Sequence, residues 1–209
     1  MRTILVLAPH IDDGEFGCGG AIAKFVGLND KVIYVAFSAA EQSVLPHLPK
    51  DVLRTEVKAA TRELGIEEGN CLVYSFTVRH FPEFRQQILD AMIQLNETYK
   101  PDIVFLPSTQ DTHQDHQAIA SEGFRAFKKT TMLGYEVPWN NLDFRTSCFI
   151  ALSKENVTRK VNAIGKYQSQ SHKDYSKRDY LVSLARTRGV QIGTEYAEAF
   201  EVIRWVINL

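Results

Sequence analysis

Residues 3–20 read TILVLAPHIDDGEFGCGG. Thr3–Ala8 is a near-continuous apolar run without the alternation of a half-buried strand. Such a run suits a parallel strand covered on both faces. It leads through a glycine-rich turn into a helix from about Gly20 to Leu28. The same unit then repeats. Lys31–Phe37 is the next strand, and a loop with Pro46 and Pro49 leads to Asp51, placed to cap a helix running to about Leu64 and ending at Gly65. Leu72–Tyr74 is a short strand, Pro82 and Glu83 start a helix ending near Tyr99, and Ile103–Leu106 is another apolar strand. The loop 107–113 precedes a helix from about Gln114 to Phe127. Strands alternating with helices predict an α/β fold: a Rossmann-like, doubly wound, mostly parallel sheet with helices on both faces. The remainder is less regular, with strands near 145–151 and 200–207 and helices near 153–167 and 178–188.

The chain has 209 residues, 44% hydrophobic and 23% charged, with a net charge of -1. That length fits a single domain spanning 1–209. The charge balance argues against a nucleic acid or anionic membrane partner. Cys18, Cys71 and Cys148 are odd in number and widely spaced, so neither a disulfide framework nor a cysteine metal knuckle is expected. No signal peptide is read, and no run approaches the ~20 apolar residues of a membrane span. A cytoplasmic location is expected.

Two polar clusters stand out. His10, Asp12, Asp13 and Glu15 follow the first strand, and DTHQDH at 111–116 follows the strand Ile103–Leu106. Both lie between a strand and a helix, at the carboxyl edge of a parallel sheet, where open α/β sheets bind ligands. A single Asp there reads as a helix cap, and His47, His80 and His172 read as ordinary surface groups. Gly17, Gly19 and Gly20 are too close together for a dinucleotide fingerprint, and the adjacent carboxylates would repel a pyrophosphate. Two converging His/Asp clusters predict a metal site. Two imidazoles and a carboxylate with an open position suit catalytic zinc, and the same triad suits iron(II), one ion per chain. Cys18 reads as small-residue packing inside the turn.

The motifs His10-Ile-Asp-Asp-Gly-Glu-Phe-Gly-Cys-Gly-Gly20 and His113-Gln-Asp-His116 resemble those of the LmbE/PIG-L family of metal-dependent N-acetylglucosaminyl deacetylases. Further similarity lies in Arg54-Thr-Glu56, Lys100-Pro-Asp-Ile-Val104, Lys166-Tyr-Gln-Ser-Gln170 and Tyr196-Ala-Glu-Ala-Phe200. Ile11 and Gln114 replace prolines common in the family, and Glu15 falls one place later than usual. The resemblance implies His10, Asp13 and His116 as metal ligands, Asp12 as general base, and His113 as the group that stabilises the oxyanion. It implies that Asp115 orients a histidine and that Arg54 binds substrate. The implied reaction is hydrolysis of the acetamide of an N-acetylated amino sugar or its conjugate, with release of acetate and a free amine. His113, if protonated, donates a charged hydrogen bond.

Other residues suit substrate contacts by their chemistry. Arg54 and Arg79 suit a phosphate, carboxylate or sugar hydroxyl, with solvated charges as the competing reading. Tyr135 and Trp139, after a strand, suit stacking on a sugar ring, with packing as the alternative. Glu198 reads as closing the site or pairing with an arginine, against scaffold use. Residues 172–179, HKDYSKRD, read as a solvated loop or a lid. Competing functions are an amidase for a larger amide and an inactive metal- or sugar-binding relative. Family members are often homo-oligomers.

Overall fold

Alternate residues of the first strand, β1 (Thr3–His10), serve two separate cores, so nearly every position is apolar. Ile4, Val6 and Ala8 pack with Ala21, Ile22, Val57 and Ala163 on one face, while Leu5 and Leu7 pack with Ile88, Met92 and Ile119 on the other. Each of the fully buried valine, leucine, isoleucine and methionine side chains contributes about 1.5–3 kcal/mol. The computed structural model describes residues 1–207. Among them, the remaining strands are β2 (Lys31–Ser38), β3 (Cys71–Val73), β4 (Ile103–Pro107), β5 (Thr131–Tyr135), β6 (Cys148–Leu152) and β7 (Tyr196–Arg204). The helices are α1 (Asp13–Gly27), α2 (Val52–Glu63), α3 (Arg85–Tyr99), α4 (Gln114–Ala126), α5 (Lys154–Ile164) and α6 (Arg178–Val190).

The sheet order is β3-β2-β1-β4-β5-β7-β6. The first five strands are parallel, and β7 runs antiparallel to both β5 and β6. The mostly parallel α/β sheet expected from the alternating pattern is therefore present. Its order reverses between β1 and β4, which places the ligand crevice beyond the carboxyl ends of those two strands.

Several boundaries differ from the sequence reading. The glycine-rich segment is helix, not turn: α1 begins at Asp13 and is kinked at Cys18, where φ is -143° and ψ is 22°. Glycine is a poor helix former, but here the missing side chain lets α1 lie against the sheet. A Cβ on Gly17 would run into the ring of Tyr135. Gly17→Ala is expected to cost about 1–3 kcal/mol by overpacking and to lower the melting temperature by several degrees. An unchanged melting curve would reject this close approach. Asp51 precedes α2 but its side chain makes no cap bond. A 3-10 turn, Phe81–Phe84, precedes α3. Helix α5 stops at Ile164, and its start is fixed by a reciprocal Ser153–Asn156 capping box. Strand β7 starts at Tyr196, earlier than expected, because Tyr196–Phe200 pairs along β6. Among the described residues, no helix is long and apolar enough to cross a membrane.

Candidate active site

β1 ends at His10 and α1 begins at Asp13, so the connection holds only Ile11 and Asp12. This tight link bends the Asp13 carboxylate back toward His10, whose backbone N–H donates to Asp13 Oδ2 at 2.8 Å. The same oxygen lies 3.1 Å from His10 Nδ1 and 3.2 Å from His116 Nε2. His116 arrives on the first turn of α4, one loop beyond β4. The two clusters, about a hundred residues apart in sequence, therefore meet at the sheet's reversal point.

The outward nitrogens of both rings are held by buried carboxylates. His10 Nε2 contacts Asp115 Oδ2 at 2.9 Å, and His116 Nδ1 contacts Asp111 Oδ2 at 2.7 Å. Asp115 also accepts the backbone N–H groups of Arg79 at 2.6 Å and Phe81 at 3.2 Å. Asp111 also accepts the His113 backbone N–H at 2.9 Å. Carboxylates behind imidazoles fix ring orientation and raise ligand basicity, as metal sites require. His10, Asp13 and His116 thus offer three inward donor atoms within 4.8 Å of one another, a set that fits a divalent cation. A second grouping, His10 with His113 and Asp115, is also compact. It is the poorer fit, because Asp115 is already committed to backbone donors and His10 Nε2.

Burial works to lower the pKa of His10, but hydrogen bonds to Asp115 and Asp13 outweigh it and raise the ring to about 9. Burial likewise opposes charge on His116, yet Asp13 and Asp111 raise it to about 10. Asp13 itself is held well below the usual carboxylate range: the His116 and His10 rings override the opposing effect of burial. In the ion-free chain, both rings are protonated at neutral pH. Their contribution to stability is fully present below pH ~6.5 and is lost as pH rises through the folded values. A cation must displace one proton from each ring. Zinc binding at pH 7 is therefore expected to release close to two protons, with apparent affinity rising about 100-fold per pH unit between pH 6 and 8. Calorimetry in buffers of different ionisation enthalpy measures this, and zero release would show that both rings are already neutral at pH 7 before the ion binds.

Asp12 lines the cleft beside these ligands. Its carboxylate makes no hydrogen bond to another of the described residues, and its pKa is raised by burial and by Asp13, against the opposing charge of Lys173. A free carboxylate with a raised pKa is equipped to take a proton. His113 caps α4: its Nδ1 accepts the Asp115 N–H at 3.1 Å. A nitrogen that accepts carries no proton, so the ring's proton sits on Nε2. Burial, with His116 and His10 nearby, lowers its pKa. The geometry makes His113 a neutral donor rather than the charged donor considered from the sequence.

The cleft has a volume of about 300 Å³. Trp139 lies in its wall, stacked on Tyr175 at 3.9 Å with Phe16 edge-on at 5.2 Å. Arg79 reaches the cleft with an exposed side chain, and its backbone sits in the left-handed region at φ 70°. Arg54 is placed elsewhere: it bonds Glu41 at 2.7 Å and Ser75 at 2.8 Å, outside the cleft lining. Tyr135 corrects the stacking expectation, because it is fully buried and its hydroxyl donates to the Leu7 carbonyl at 3.0 Å. Glu15 is also no ligand. It is fully buried, and the Tyr34 and Tyr167 hydroxyls bond it. Burial raises its pKa to about 8.

The sequence offers Asp111 no role of its own and reads Lys173 and Tyr175 as part of a solvated loop or a lid. Both lie in the cleft wall. The one available signal was Tyr175, an aromatic residue amid the charges of HKDYSKRD. Glu198 pairs with Lys160, not with an arginine, at 2.7 Å. Glu201 fastens the loop after β4 by accepting from Ser108 Oγ and Thr109 N, both at 2.9 Å.

An open α/β sheet with a histidine–carboxylate donor set and an unengaged carboxylate at its reversal point defines a class: hydrolase-like α/β proteins equipped to hold a metal. The family follows from comparison. The chain belongs to the PIG-L family, whose profile, described as GlcNAc-PI de-N-acetylase, matches residues 5–127. The chain is similar to YaiS of Escherichia coli strain K12, described as an uncharacterized deacetylase, with 28% identity over 184 residues, covering 80% of this chain and 91% of YaiS. Its fold matches the N,N'-diacetylchitobiose deacetylase of Pyrococcus horikoshii with a TM-score of 0.80 at 21% identity, covering 97% of this chain and 84% of that one. It also matches GalB, the 4-carboxy-2-hydroxymuconate hydratase of Pseudomonas putida KT2440, with a TM-score of 0.77 at 21% identity and full coverage of both chains. The protein is thus a member of a deacetylase family.

Proposed function

We propose that this chain is a zinc-dependent deacetylase that removes the acetyl group of an N-acetylglucosamine-type amino sugar or its conjugate. The observation that supports it most is the inward-facing triad of His10, Asp13 and His116 with Asp12 beside it in the cleft wall. Those three residues would hold the cation. When bound, zinc, or iron(II) in its place, polarises an amide carbonyl and acidifies water.

The chain's own groups then account for the rest. Asp12 removes a proton from the attacking water as the new C–O bond forms at the carbonyl carbon. His113 donates its Nε2–H to the developing oxyanion, a contribution typically worth about 10²–10³ in rate. Asp12 returns the proton to the sugar nitrogen as the C–N bond breaks, giving acetate and a free amine. Phe16, Trp139 and Tyr175 offer apolar surface to a sugar ring, and Arg79 lies where groups beyond the acetamide would extend. A cleft of about 300 Å³ is at the small end for ligand sites and suits a small amino-sugar substrate. We place the activity in the cytoplasm and assign the whole chain to one catalytic domain.

The test is a panel of N-acetylated amino sugars, free and conjugated, scored for both acetate and primary amine with zinc-loaded protein. Equal release of the two supports the proposal. Amine without acetate from larger acyl conjugates would point to the amidase alternative. Hydration of an unsaturated hydroxy acid with no amine released would overturn the proposal in favour of chemistry like that of the hydratase sharing this fold.

A further inference from the structure

We propose that the buried Lys160–Glu198 ion pair is a positioning device for the metal site, holding α1 broken at Cys18 so that the Asp12–Asp13 segment is set against His116. The proposal rests on the deacetylase reading above. In an unbroken helix the Phe16 carbonyl would accept from the Gly20 N–H. Here the two groups are served separately. The Gly20 and Ala21 N–H groups donate to Glu198 at 2.9 Å and 2.7 Å, and the Phe16 carbonyl accepts from Lys160 Nζ at 2.6 Å. Lys160 Nζ and Glu198 Oε1 are 2.7 Å apart, and both residues are 5% exposed. The pair is spliced into the helix at its break.

Its position gives it leverage on the site. The short arm of α1 before the break carries Asp13, with Asp12 at its cap and Phe16 in the cleft wall. The long arm is packed in the core through Ala21, Ile22 and Phe25. The angle between the arms is fixed where Glu198 of β7 and Lys160 of α5 grip the chain. Gly20 permits that grip, because a Cβ there would lie 2.5 Å from Leu152 and 3.1 Å from Glu198 Oε1. Burying two charges is a costly way to gain stability alone, since apolar replacements of a buried pair are often no less stable. What a charged pair adds is direction: one partner must face N–H donors and the other a carbonyl.

The test compares Lys160→Met/Glu198→Gln and Glu198→Gln alone with the wild type. The glutamine retains an acceptor for the helix N–H groups. Zinc affinity is measured by chelator competition on protein shown to be folded at the assay temperature, and kcat and KM are measured beside it. The expected result is zinc affinity weakened 10–100-fold, the range seen when groups behind metal ligands are removed. A comparable loss in kcat is expected, with KM within about twofold. If the double variant does not fold, Lys160→Gln/Glu198→Gln, which removes both charges and leaves no unpaired buried ion, carries the comparison. Wild-type zinc affinity and kcat in a folded variant, whatever its melting temperature, overturn the proposal and leave the pair a scaffold. A wild type that binds no zinc instead overturns the deacetylase reading, and the two failures are distinct because variants are scored against wild-type affinity.

Discussion

His116→Ala is expected to reduce bound zinc from about one ion per chain to none and to lower deacetylation by at least about 10³-fold, the scale of a lost metal contribution of several kcal/mol. The reason is geometric. His116 Nε2 and His10 Nδ1 flank one oxygen of Asp13 at 3.2 and 3.1 Å, so removing either ring leaves two donors. Deleting this ring also leaves Oδ2 of Asp111, a residue 1% exposed, without its His116 partner, while Oδ1 keeps the His113 N–H. Some loss of stability should therefore accompany the loss of metal. Metal analysis of chelator-stripped and reconstituted protein, with a melting curve for each form, reads both effects. Full zinc occupancy in the folded variant would move the site away from these residues.

Asp12→Asn is expected to have the opposite signature. It keeps the shape of the cleft and leaves all three proposed ligands in place, so zinc stoichiometry and KM should stay near wild type. The turnover number should fall about 10²–10⁴-fold, the usual range for a general base. Its raised pKa, caused by burial and by the adjacent Asp13, also sets a direction for pH dependence. Activity that needs ionised Asp12 is lost as pH falls through a midpoint above that of an ordinary aspartate, and that acid limb should be absent from the residual activity of Asp12→Asn. A variant with wild-type turnover would exclude Asp12 as the base. Taken together, the two variants separate holding the ion from moving the proton.

How much of this was legible in the chain varies by residue. β1, β2 and β4 were read correctly because strands buried on both faces are apolar at consecutive positions, a local property. The gathering of the two His/Asp clusters at one edge followed from the strand–loop–helix context of each. Helix α1 reads as a turn in the sequence because of the four glycines from Gly14 to Gly20, and only the sheet and α5 packed against them show why a helix needs them there. Tyr135 and Trp139 looked equivalent in GYEVPW, yet one is fully buried and the other is 39% exposed in the cleft wall. In the sequence Glu15 is the third acidic member of the cluster, but the hydroxyls of Tyr34 and Tyr167, from distant elements, bond it away from the site.

The sequence by itself determined the α/β class, the carboxyl-edge location of the two His/Asp clusters and, through the motifs, the family. These depend on residue types at short spacing, and short spacing constrains local geometry tightly. Only the tertiary structure decided the sheet order, the side chains behind the ligands, the protonated nitrogen of His113 and the aromatic wall. It also decided the partners of Glu198 and Glu201, which lie 178 and 93 positions from the groups they bind at Gly20 and Ser108. A buried polar group must find a partner, but which partner is fixed by the packing of the whole chain.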